Sequence, residues 1–350
     1  MNAATRTGSA AVDWDLARAT AKRFVRPGPI VSPDEAARTV AELRAVTAVA
    51  EEHVRGLTGL GAGLPVTEGD VVDRDGWIDA AAEGIAALTD GALPQRAGKV
   101  GGVLAGSAGV QAGVALAYLG SRVLGQYDPF GGGDGGRLMM VAPNIVAAQQ
   151  ALDVPAADFH MWVALHESTH RLQFTAVPWL AEYFRGQVSG FIAGLEDDAD
   201  GVLQRLPEVL KAARSRPDPT ASTGPLAIVE LLQSPAQRAA FDRLIALSTL
   251  LEGHADHVMD AVGPRVVPSV ATIRQRFTAR RRGGGLLDRV LRSLLGVDAK
   301  MKQYAVGAKF TAHCVDAVGM ERFNRVWDSA DALPLRAELS DPDAWLRRVA

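Results

Sequence analysis

The sequence predicts a mainly α-helical protein with one small β-sheet, an α+β chain in which helices dominate. Three observations predict it. Ser32-Pro33-Asp34-Glu35 and Ser234-Pro235-Ala236-Gln237 each supply a capping hydroxyl, a proline where the first turn needs no N–H, and a Glu or Gln three residues after the serine. Several long stretches keep apolar residues at helical spacing, above all Asp153–Phe174, DVPAADFHMWVALHESTHRLQF. By contrast, few stretches read as strands; the clearest is Arg137–Pro143, RLMMVAP, which is short, apolar and ends at proline.

A chain of 350 residues can hold one large domain or two ordinary ones. With 48% hydrophobic and 22% charged residues it is globular and not disordered. A formal net charge of −3 argues against bulk attraction to nucleic acid. The single cysteine, Cys314, excludes an internal disulfide and fits a reducing compartment. The first residues lack an apolar secretory core, so the expected location is the cytoplasm. The expected organisation is a disordered tail at 1–11 and a single domain at 12–350. Within it, 12–126 would be a helical N-terminal part and 127–350 the part carrying the chemistry.

Taken in order, Val12–Phe24 reads as a short helix anchored by Trp14 and broken by Arg26-Pro27-Gly28-Pro29. The Ser32 cap opens a second helix, running to about Arg55 and followed by a glycine-rich turn. Asp73–Leu88, with Trp77, reads as a third. Val100–Leu119 has the length of a membrane span. Its small residues recur at Gly101, Ala105, Gly109 and Gly113, the spacing that lets helices approach closely. Gln111 in mid-segment and flanks without a basic cluster favour a tightly packed core helix over a membrane anchor. Gln126–Gly136 reads as a glycine-rich loop without a phosphate-loop pattern.

After the Asp153–Phe174 helix, for which Asp153 is a candidate cap, Val177-Pro178-Trp179 turns the chain. Leu180–Leu195 and Asp200–Ala213 read as helices, and Ser215–Gly224 as a surface loop. The Ser234 cap opens a long helix that ends at Val262. Arg274–Gly285 is the most basic run, better read as a solvated helix end than as an anion contact. Asp298–Val318 reads as a further helix, and the segment with Trp327 and Trp345 as a cover.

Within Asp153–Phe174 stands His166-Glu167-Ser168-Thr169-His170, an H-E-x-x-H motif. Residues four apart on a helix differ by about 40° around the axis and about 6 Å along it, so both imidazoles can reach one metal ion. Zinc suits two imidazoles and acidifies its water, and Glu167 lies beside that face, where it can take the proton. The bland alternative is two ordinary helix histidines near an unrelated glutamate. The uncharged flanks Val163, Ala164, Leu165, Ser168, Thr169 and Leu172 fit a buried motif helix, whereas charged Arg171 departs from that pattern.

A catalytic zinc site usually takes three protein ligands. Glu252, in Glu252-Gly253-His254-Ala255-Asp256, is the best candidate for the third. Asp256 shares its helical face and could orient a ligand histidine from behind. His254 lies about 200° round the helix and points elsewhere, as a structural histidine would.

H-E-x-x-H followed by E-x-x-x-D on a later helix resembles the gluzincin arrangement of the zincin metallopeptidases. The resemblance implies a zincin-like fold, His166, His170 and Glu252 as zinc ligands, Glu167 as general base and Asp256 behind a ligand. The interval from His170 to Glu252 is longer than in thermolysin-like enzymes. GQYDPF, MMVAPNI, FHMWVALHESTHRLQF, VPWL, LLEGHADHVMDAVG and LLGVDAKMKQY together resemble a bacterial family of zincin-like hydrolases. Some of its members carry a label linking them to biosynthesis of a deazaflavin coenzyme. The resemblance also implies a peptide or other amide substrate laid along an edge strand, for which Arg137–Pro143 is the candidate. Tyr304 is the candidate donor to an oxyanion. A non-catalytic binding protein on the same scaffold, and a membrane-associated protein using Val100–Leu119, are the alternatives.

Overall fold

Several helices begin where the sequence supplies a cap. The computed structural model describes residues 11–93, 98–133, 135–197, 234–282 and 297–350; at 98–104, 195–197, 280–282 and 297–305 it describes the backbone alone. The expected tail apart from Ala11, the helix at 200–213, the loop at 215–224 and the glycines closing the basic run lie outside the described residues. The chain divides into two compact units, Met1–Ala181 with Ala261–Ile273, and Glu182–Asp260 with Arg274–Ala350.

In the first unit, α1 (Trp14–Phe24) is capped by Asp13 and α2 (Pro33–Thr58) by Ser32, whose hydroxyl accepts from the Glu35 N–H. Strand β1 (Asp70–Val72) leads into α3 (Arg74–Thr89), capped by Asp73, and then comes α4 (Gly98–Gly120). Gly109 and Gly113 let α4 lie directly on α1: a Cβ at Gly113 would fall 2.6 Å from the Thr20 side chain and 2.6 Å from the Ala17 carbonyl. The Asp13 N–H donates to the Ala105 carbonyl at 3.1 Å. The small-residue spacing therefore serves packing within the unit. Among the described residues no helix is long and apolar enough to cross a membrane.

Strands β2 (Gly125–Asp128) and β3 (Arg137–Val141) complete a three-stranded sheet of order β1-β3-β2. Asp70–Val72 pairs parallel with Met139–Val141, and Gly125–Asp128 pairs antiparallel with Met140–Arg137. The predicted edge strand is thus the central one, with both hydrogen-bonding sides used. Its run Leu138-Met139-Met140-Val141 is fully buried, as suits a central strand covered on both faces. Among the described residues the edges are the short β1, which the sequence does not announce, and β2, whose Gln126–Asp128, expected to open the glycine-rich loop, instead pairs with β3. Met139 and Val141 join Trp77, Ile78, Leu116 and Ala17 in one core cluster.

The strand also ends earlier than predicted. Ala142 and Pro143 open α5 (Ala142–Leu152), since a proline in the first turn costs no hydrogen bond. Asp153 does not cap the next helix. It closes α5 in the left-handed conformation (φ 51°), which Asp tolerates better than most residues, and Pro155 precedes α6 (Ala156–Thr175) without a side-chain cap.

Helix α7 (Leu180–Asp197) leads to the described parts of the second unit, where α8 (Pro235–Val262) opens with a reciprocal capping box. The Gln237 N–H donates to the Ser234 hydroxyl at 3.2 Å, and the Ser234 N–H to the Gln237 side chain at 2.7 Å. Helices α9 (Val270–Arg282), α10 (Val297–Phe323) and α11 (Pro342–Val349) follow, with α10 interrupted by non-helical Gly319. The C-terminal segment is more than a cover. Trp345 is fully buried against Phe310 and Phe323, and its indole N–H donates to the Ala332 carbonyl at 2.8 Å.

Where α8 crosses α10, Gly253 meets Gly307 backbone to backbone, and a Cβ at Gly253 would overlap the Gly307 main chain. No side-chain rotation relieves that overlap. Gly253→Ala is therefore expected to destabilise the protein by about 1–3 kcal/mol, the usual cost of overpacking. Urea denaturation measures it; an unchanged midpoint would mean the crossing is not close.

Candidate metal centre

Helix α6 is buried on nearly every side: Phe159, Val163, Leu165, Ser168, Thr169, Leu172 and Gln173 are all shielded from water. That burial holds the H-E-x-x-H residues in place. The His166 and His170 rings stand edge to face, with centroids 4.6 Å apart. Their Nε2 atoms face each other at 3.1 Å. On the far side of the His170 ring, Nδ1 lies 2.9 Å from Oε1 of Gln173, one turn further along the helix. Both histidines are half-buried.

Glu167 is buried at 6% exposure, and its side chain lies over the first residue of β2. A Cβ at Gly125 would fall 2.6 Å from its Cγ and 2.9 Å from its carboxyl carbon, so any side chain there would displace this carboxylate from its present seat. Further along, the Tyr127 ring packs on Phe174 at 5.9 Å and its hydroxyl donates to the Gly135 carbonyl. Burial pushes the Tyr127 phenol up to about 12, so it stays protonated and is no base at neutral pH.

Arg171, the charged departure in the motif helix, has a structural task. Its guanidinium pairs with Glu51 of α2 at 2.9 Å and donates to the Thr67 carbonyl and hydroxyl. Glu51 is 1% exposed and also pairs with Arg55, which donates to the carbonyls of Gly61, Leu64 and Pro65. One buried carboxylate thus ties the motif helix to α2 and to the loop after it. Arg171 also borders a cleft of about 330 Å³ with Thr67, Glu68, Asp70, Gly132 and Arg137.

The residues expected on the later helix belong to the second unit. Glu252 is half-buried on α8 between buried Leu251 and Gly253. His254 is fully buried among aromatic rings, 5.8 Å from Phe323 and 5.6 Å from Trp327, as expected of a structural histidine. Arg274 approaches the Asp256 carboxylate at 3.6 Å and its carbonyl at 3.0 Å, and pairs with Asp260 at 2.5 Å. Burial raises the Asp260 carboxyl and Arg274 opposes it. Tyr304 lies on the part of α10 where the backbone alone is described.

The donor set on α6 fits a metal ion. Two imidazole nitrogens converge, and each has its ring fixed by a buried helix. Residues 12–346 match the family of zincin-like metallopeptidases. The chain belongs to that family. A crystal structure from Chloroflexus aurantiacus, of a candidate hydrolase with a novel fold, is similar over 96% of this chain and 98% of its own, at 31% identity and a TM-score of 0.67. No curated protein matches the chain. Membership of the zincin-like metallopeptidases supports a metallohydrolase and implies a metal cofactor.

Gln173, Glu51 and Gly125 escaped the sequence reading. Gln173 could have been noticed, because it stands three after His170 on a helix. Nothing in the sequence couples Glu51 to Arg171, which lies 120 residues further on. Removing the shared carboxylate leaves two largely buried guanidinium groups without it. Glu51→Ala is expected to cost about 3–5 kcal/mol in urea denaturation, as for other broken buried pairs. A loss below about 1 kcal/mol would mean that solvent screens the cluster.

Proposed function

We propose that this zincin-like protein is a zinc-dependent hydrolase that cleaves peptide or other amide bonds. In this reading His166, His170 and Glu252 hold the ion, each offering one ligand atom of a kind zinc accepts. Glu167 is the general base. The observation that carries the reading is the pair of facing Nε2 atoms with the buried Glu167 carboxylate on the same helix. The Chloroflexus aurantiacus neighbour, described as a candidate hydrolase, supports the reaction class.

Bound zinc would polarise a substrate carbonyl and acidify water. Glu167 would take the proton from the attacking water and return it to the leaving nitrogen. Its seat against Gly125 limits its rotamers and keeps the carboxylate beside the start of β2. Strand β2 is an edge of the sheet among the described residues, so an extended substrate would pair with Gly125–Asp128 in place of the central β3. Asp256 as the partner of a ligand histidine and Tyr304 as oxyanion donor complete the proposal. An intact, buried Glu167 favours catalysis over a purely binding role, since a structural ion needs no base.

Two outcomes test it. Glu252→Ala should weaken zinc binding far more than His254→Ala in a chelator competition; equal losses would remove Glu252 from the ligand set. Glu167→Gln should keep its zinc yet lose at least about a hundredfold in hydrolysis, the low end for loss of a general base. New termini made in a peptide library, scored by mass spectrometry, provide the readout. Equal cleavage by both forms would reject Glu167 as the base.

A further inference from the structure

We infer that Gln173 is a positioning residue for the metal centre, holding the His170 imidazole with Nε2 turned toward His166. The inference rests on the metal-site reading above and adds a residue to it. A neutral imidazole carries one proton, and a nitrogen that binds metal must be the other one. Which nitrogen is free follows from the partner the opposite nitrogen finds. His170 Nδ1 lies 2.9 Å from the Gln173 Oε1, and an amide oxygen only accepts. The proton therefore sits on Nδ1, and the Nε2 lone pair faces the Nε2 of His166 at 3.1 Å.

The geometry is built in. Gln173 is fully buried, so its amide must find partners inside the protein. It stands three residues after His170, the spacing at which helical side chains meet. Ring and amide thus hold each other on one rigid helix. The choice of an amide also has a physical reason. Ligand histidines commonly donate to a carboxylate or a carbonyl oxygen. A carboxylate at this position would be a second buried acid on the helix that already buries Glu167, with a further desolvation cost. Glutamine supplies the oxygen without the charge. The working motif becomes His166-Glu167-x-x-His170-x-x-Gln173.

Zinc affinity of the full-length protein separates this role from packing. Gln173→Met keeps the volume and loses the acceptor, whereas Gln173→Glu keeps an acceptor and buries a charge. If Gln173 positions His170, Q173M weakens zinc binding about 10–100-fold in a chelator competition, and Q173E binds zinc more tightly than Q173M. If Gln173 only fills space, Q173M matches wild type and Q173E is the weaker, which overturns the inference. Wild type that takes up no zinc would instead overturn the metal-site reading itself. Should Q173E fail to fold, nitrogen NMR of zinc-loaded wild type decides: metal on Nε2 and a proton on Nδ1 of His170 is expected. Coordination of His170 through Nδ1 would overturn the proposal.

Discussion

Two imidazole nitrogens held 3.1 Å apart repel unless a cation or a proton lies between them. A chain that holds them there must do so with a rigid support, and the first unit is arranged to give it. Helix α6 is buried along most of its length, so it cannot twist to part the rings. The Glu51 carboxylate fixes its outer side through Arg171, and Gly125 leaves a seat for Glu167. Gln173 occupies the far nitrogen of His170. Each contact restrains one degree of freedom of a side chain on α6: helix position, carboxylate rotamer, ring orientation.

The second unit handles the later motif differently. Gly253 admits the Gly307 backbone beside Glu252, and His254 is packed among Phe323 and Trp327. Adjacent positions on α8 therefore divide their tasks. The glycine sets the helix crossing and the histidine fills an aromatic core. The acids one turn apart are left for polar work, Asp256 and Asp260 with Arg274 in this unit. Helical geometry explains why a histidine so near a proposed ligand belongs to the core instead.

Local signals were legible where a single segment decides the outcome. Ser32 and the Ser234–Gln237 pair cap helices because their partners lie three residues away. The H-E-x-x-H pair was legible for the same reason. Signals failed where a neighbouring element decides. Asp153 resembles a cap but closes the preceding helix, and Pro143 resembles a strand end but opens α5. Strands β1 and β2 have only three and four residues, too short to show an alternating pattern, so their pairing with β3 defines them. Arg137–Val141 was legible as a strand, but its central place depends on partners remote in sequence. The apolar α4 shows the same limit: its glycines mark close packing, and only the structure names α1 as the partner.

In the proposed function, one zinc ion is held by His166, His170 and Glu252. X-ray absorption at the zinc edge, on protein purified without added metal, tests it most directly. The expected first shell has two imidazole nitrogens and the rest oxygen, at about 2.0–2.2 Å, with no sulfur. A thiolate at about 2.3 Å, a shell of a single imidazole, or protein that carries no zinc at all would contradict it.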